Sequence, residues 1–129
     1  MKTRTFRLNK LVRDRIVQTH FDMGGGVKYK TVSGDKLTKA LLKKIIEEAT
    51  ELRYSDLSVG ELADLQELVD SLTEHLKLSK NDLKKRQAEK RRTNGGFKKG
   101  HFIDTVTLPA SNKWAKYYAA DPKRFPEIK

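Results

Sequence analysis

Residues 36 to 54, KLTKALLKKIIEEATELRY, and residues 61 to 77, ELADLQELVDSLTEHLK, decide the fold of this chain. In the first stretch Leu37, Leu41, Ile45, Ala49 and Leu52 recur at spacings of four and three. In the second, Leu62, Leu65, Leu68, Val69, Leu72 and Leu76 gather on one side. Both patterns are those of amphipathic helices with a single apolar face. Ser33-Gly34-Asp35 offers a turn and a cap ahead of the first helix. Ser55 to Gly60 is a short connection, so the second helix is expected to fold back antiparallel on the first.

Acidic residues on helices usually face water, so their position on the helical wheel decides whether they carry chemistry. With Ile45 at zero and about 100° per residue, the apolar stripe of the first helix runs from Leu37 near −80° to Ala49 near +40°. On that wheel Glu48 sits at about −60°, inside the stripe, with Glu51 at about −120° on its border and Glu47 further out near −160°. With Leu65 at zero on the second helix, Glu61 falls at about −40°, inside its stripe, and Asp64 at about −100° on its border. Each helix therefore carries an inward carboxylate and a second one three residues on, which is a neighbouring position on a helix face. Across an antiparallel pair, Glu48, Glu51, Glu61 and Asp64 are expected to converge. Four carboxylates at the edge of a core repel one another and are costly to desolvate unless a cation joins them. Oxygen ligands of this kind suit Mg²⁺ or Mn²⁺.

The remaining sequence completes an all-α reading. Asn9 is placed to cap a short helix running to about Thr19 with Leu11, Val12 and Ile16 inward, ended by Met23-Gly-Gly-Gly26. Val27 to Val32 alternates weakly, as a short strand or an extended loop. A third helix is expected from near Ser79 or Asn81 to about Thr93, closed by Gly95-Gly96. Residues 98–129 read as an extended tail, broken by Pro109, Pro122 and Pro126, that wraps the bundle or a partner subunit. Trp114, Tyr117 and Tyr118 within it are taken as packing residues rather than base-stacking ones. Residues 1–129 are expected to form one domain. Two helices with one acidic face make a thin core, so the bundle is expected to be completed by a homodimer or a higher homo-oligomer.

Charge narrows the function. The chain carries 28 Lys and Arg against 17 Asp and Glu, a net charge of +11, and no cysteine. Disulfides and thiolate chemistry are excluded. Residues 1–15 hold six basic residues against Asp14, and residues 77–100 hold ten against Asp82 and Glu89. Residues 47–74 instead hold nine acidic residues against Arg53. A protein that only coats nucleic acid needs the basic shell and is hindered by an acidic centre; a site for a divalent cation and a polyphosphate needs both. No stretch approaches the roughly 20 apolar residues of a membrane span, and the charged N-terminus does not suit a signal peptide, so a cytoplasmic location is expected.

Glu47-Glu48-Ala49-Thr50-Glu51 followed by Glu61-Leu62-Ala63-Asp64 resembles the E-E-x-x-E and E-x-x-D pattern of the MazG-type all-α nucleotide pyrophosphohydrolases, a family that includes dimeric dUTPases and phosphoribosyl-ATP pyrophosphohydrolase. Asn9-Lys10-Leu11-Val12-Arg13-Asp14-Arg15-Ile16 is similar to an N-terminal motif of one branch. Lys90-Arg91 before Gly95-Gly96-Phe97 is similar to a basic helix end preceding R-G-G-F, with Asn94 where arginine is usual. The likeness spans about residues 9–108. It implies that Glu48, Glu51, Glu61 and Asp64 bind Mg²⁺, with Mn²⁺ as an alternative, and that Glu48 or Glu47 positions the attacking water or takes its proton. The implied reaction cuts a nucleoside triphosphate between its α- and β-phosphates, and Lys84, Lys90, Arg91, Arg92, Arg13 and Lys10 are the candidate phosphate contacts. Two rival readings stand beside it: phosphoribosyl-ATP hydrolysis in histidine biosynthesis, and non-catalytic nucleic-acid binding by residues 77–100. His20, His75 and His101 lack metal-site spacing and read as structural. The glycine runs read as turns, since neither opens a helix as a phosphate loop does.

Overall fold

Two of the helices expected from periodicity form, each extended by a residue or two at its start. A computed structural model describes residues 2–56 and 58–129. The helices are α1 Ile16–Asp22, α2 Gly34–Arg53, α3 Val59–His75, α4 Lys80–Asn94 and α5 Lys113–Ala119, with no strand among the described residues. The fold is all-α, and Val27 to Val32 carries no regular structure.

The chain divides into two compact units, to Arg92 and from Thr93. In the first, α2 and α3 are the helices that pack on one another. Gly34 opens α2 at a positive φ of 56°, which glycine adopts without strain. Ser33 precedes it in the cap position but makes no side-chain cap bond. α3 starts at Val59 because Ser58 caps it, its hydroxyl accepting from the Glu61 amide at 3.4 Å. At the far end, the amide of Leu78 donates to Thr73 O and that of Lys77 to Glu74 O, with Lys77 at φ 58°. This is a Schellman closure with lysine in the place that glycine usually takes.

His75 fixes the pair as antiparallel. Its Nε2 lies 2.8 Å from Thr38 Oγ1 and 3.2 Å from Gly34 O, so it joins the last turn of α3 to the first turn of α2. A carbonyl only accepts, so Nε2 carries the proton. His20 similarly reaches Ile16 O within α1 at 2.9 Å. Both histidines have structural roles.

The N-terminal helix differs from expectation. Asn9 has a left-handed φ of 49° rather than a cap conformation, and α1 begins only at Ile16. Leu11, Val12 and Ile16 are half-buried as expected, but residues 10–13 run non-helically. Tertiary ion pairs account for this: in that form Lys10 reaches α2 while Arg13 reaches α3.

The core is small. Leu41 is the one buried apolar residue among the described residues, with Thr73 the one buried polar residue. Leu42 and Ile46 on α2, and Leu62, Val69 and Leu76 on α3, remain exposed. By the helical wheel these flanks lie on the same side of the antiparallel pair, opposite the side that residues 10–13 cover. No helix of the described residues is long and apolar enough to cross a membrane.

The second unit holds the short helix α5 and a cluster of aromatic rings. Asn112 caps α5 by accepting from the Trp114 amide at 2.8 Å. Tyr117 and Tyr118 pack on Phe125 with ring centroids 5.8 and 5.0 Å away, and Trp114 stands edge-on to Tyr117. The three aromatics of α5 thus pack on each other, and its two tyrosines on Phe125.

Candidate metal centre

α2 delivers three carboxylates to one place. Glu47, Glu48 and Glu51 each offer an oxygen within 4.8 Å of the others'. The i, i+1, i+4 spacing brings this about on a single helix, since positions three and four apart share a face. No group of three or more that meets this spacing among the described residues includes Glu61 or Asp64.

Those two enter from α3 in different states. Glu61 is held in the first turn, where its amide bonds the Ser58 cap. Its Oε2 is buried and has no hydrogen-bond partner. A buried carboxylate oxygen left without a donor or cation is destabilising by some kilocalories per mole, so this atom is an orphan in want of positive charge. Asp64 Oδ1 instead accepts from Arg13 at 2.6 Å.

Three cations lie among the carboxylates. Lys10 Nζ is 3.1 Å from Glu47 Oε1, and Lys44 Nζ lies 3.3 Å from the same oxygen and 3.4 Å from Glu48 Oε1. The hydrogen bond from Lys10, helped by Lys44, holds the Glu47 carboxyl below its ordinary 4.5 against the opposing effect of burial. Glu47, chiefly through that bond, raises the Lys10 ammonium above 10.5. The three clustered carboxylates set against Lys10 and Lys44 leave one uncompensated negative charge.

The donor set suits a hard divalent cation, being all oxygen and carrying that residual charge, and the helix packed against it carries the orphaned oxygen of Glu61. Glu47, read from the wheel as outlying, is half-buried here because residues 10–13 cover that flank. Lys44 was not singled out in the sequence, although its spacing of three and four from Glu47 and Glu48 is the signal for such a pair.

The basic residues of α4 do not join this cluster. Lys84 lines a shallow groove between α3 and α4 with Gln66, Val69, Asp70 and Leu83. Lys90, Arg91 and Arg92 are exposed at the end of α4 and form no ion pair among the described residues. Of the six candidate phosphate contacts, Lys10 and Arg13 are the ones placed at the carboxylates. No family model matches the sequence, and no curated protein or solved structure matches it.

Proposed function

We propose that this chain is a Mg²⁺- or Mn²⁺-dependent pyrophosphohydrolase that converts a nucleoside triphosphate to the monophosphate and pyrophosphate, as the MazG-type proteins it resembles do. The observation that carries the reading is the orphaned, buried Oε2 of Glu61, on the helix packed against the one that presents Glu47, Glu48 and Glu51. Glu48, Glu51, Glu61 and Asp64 would hold the metal. When bound, the ion supplies a Lewis acid for phosphate oxygens and lowers the pKa of water. Glu47, ionised at neutral pH like any glutamate and held below the ordinary 4.5 chiefly by Lys10, is suited to orient the attacking water. Arg13 and Lys10 stand where they can take up phosphate charge, and arginine's planar fork suits phosphate oxygens. Lys84, Lys90, Arg91 and Arg92 form an outer basic face that draws in polyanions. Such housekeeping of the nucleotide pool belongs in the cytoplasm.

A second copy of the chain fits the exposed flank of the helix pair. Leu42, Ile46, Leu62, Val69 and Leu76 are apolar and exposed, and an antiparallel pair closes best as a four-helix bundle. Sedimentation of wild type as a dimer and of Ile46→Glu as a monomer is the expected outcome; a wild-type monomer overturns the dimer.

The enzymatic reading is tested with a panel of nucleoside triphosphates and phosphoribosyl-ATP, in Mg²⁺ and in EDTA. Metal-dependent pyrophosphate release that falls at least about a hundredfold in Glu48→Ala is expected, the scale of losing a transition-state electrostatic contact. Release from phosphoribosyl-ATP alone would move the substrate to histidine biosynthesis. No release from any candidate overturns the reading and leaves the basic face of α4 as a nucleic-acid contact.

A further inference from the structure

The segment from Lys10 to Arg13 ties two helices together through an ion pair at each end. Its first residue pairs with Glu47 on α2 and its last with Asp64 on α3, while Leu11 and Val12 between them are half-buried. The Arg13–Asp64 pair is open to water: its side chains are 58% and 46% exposed. Exposed pairs are weak and screened, whereas a divalent ion brings twice the charge to the same oxygens.

We propose that Lys10 and Arg13 form a displaceable counter-ion strap, which occupies Glu47 and Asp64 until a divalent cation arrives and then releases the guanidinium of Arg13. The proposal rests on the metal reading above and adds to it a competition. In the metal-free protein the strap keeps like charges on α2 and α3 from driving the pair apart. Metal binding takes over that neutralisation and frees Arg13 beside the site, where an incoming phosphate can use it. The strap thereby orders the events, metal first and polyphosphate second. Lys44 differs: it pairs within its own helix to Glu47 and Glu48 and crosses to no other.

The test is a Mn²⁺ titration followed by electron paramagnetic resonance, without nucleotide, on wild type and Arg13→Gln. Removal of the competitor is expected to tighten Mn²⁺ binding about two- to fivefold, the weight of an exposed ion pair. Unchanged affinity overturns the strap. Weaker affinity also overturns it, by making Arg13 a residue that holds Asp64 in its ligating pose. Should wild type bind Mn²⁺ normally and Arg13→Gln fail to fold, wild type alone decides: Mg²⁺ is expected to shift the Arg13 Nε–H resonance toward that of a free arginine, and an unmoved resonance at saturation overturns the proposal. Absence of Mn²⁺ binding by wild type overturns the metal reading itself, and the strap with it.

Discussion

α3 and α4 are consecutive helices of 17 and 15 residues, yet they are held by different forces. α3 packs on α2, buries Thr73 and carries Glu61 and Asp64. α4 buries nothing. Local interactions sustain it, among them the Ser79 hydroxyl accepting from the Asp82 amide and the exposed Arg86–Glu89 pair. Helical propensity makes a helix, but an apolar stripe makes it part of a site, and only α3 has both.

Truncating one apolar residue where α2 meets α3, and one on α4, breaks or upholds that contrast most directly. Leu41→Ala, at the buried contact of α2 with α3, is expected to cost about 2–4 kcal/mol, whereas Leu83→Ala on α4 is expected to cost under about 1 kcal/mol, because only the first leaves a cavity. Urea unfolding of both variants checks this, and equal losses would place α4 in the core.

Metal linkage sharpens the same contrast. Mg²⁺ at a hundred times its dissociation constant is expected to stabilise wild type by about 2.7 kcal/mol. Calorimetry should show that gain lost in Glu61→Gln on α3 and kept in Lys84→Gln on α4. A gain retained in Glu61→Gln would remove Glu61 from the metal site.

The joint between the helices gives a smaller effect. Lys77, left-handed at the end of α3, is expected to yield about 0.5–1 kcal/mol of added stability when changed to glycine, since that conformation strains a side chain but not glycine. Thermal melts of Lys77→Gly read it directly.

The weakest effect is the strap's response to pH. Because the Glu47 pKa is lowered on folding, its contribution is complete above the ordinary 4.5 and fades as pH falls through the lowered value. The Lys10 contribution, with its pKa raised, is complete below 10.5 and fades as pH rises through the raised value. Resonances of Leu11 and Val12 should hold steady between those limits and move outside them; movement near pH 7 would mean that another group anchors the strap.

Much of the architecture was legible in residue order. Apolar spacing marked α2 and α3, and capping and glycine signals marked α4, because both are local consequences of a 3.6-residue repeat. The same repeat placed Glu48 and Glu61 toward the interior, and the structure finds both half-buried. It could not place Glu47, because what half-buries that residue is a segment 37 residues away. Nor could it foresee that Asn9 to Arg15 stays non-helical, since that follows from Lys10 and Arg13 each finding a carboxylate on a different helix. The pairing of Tyr117 and Tyr118 with Phe125 was likewise hidden by the proline-broken tail.

By itself the sequence determined the helical class, the antiparallel pair and the inward carboxylates, all of which depend on neighbours within about two turns. Tertiary structure alone decided which cations stand among those carboxylates, which carboxylate oxygen is left without a partner, and which apolar flank stays uncovered. These depend on chain segments meeting in space, which no local repeat encodes.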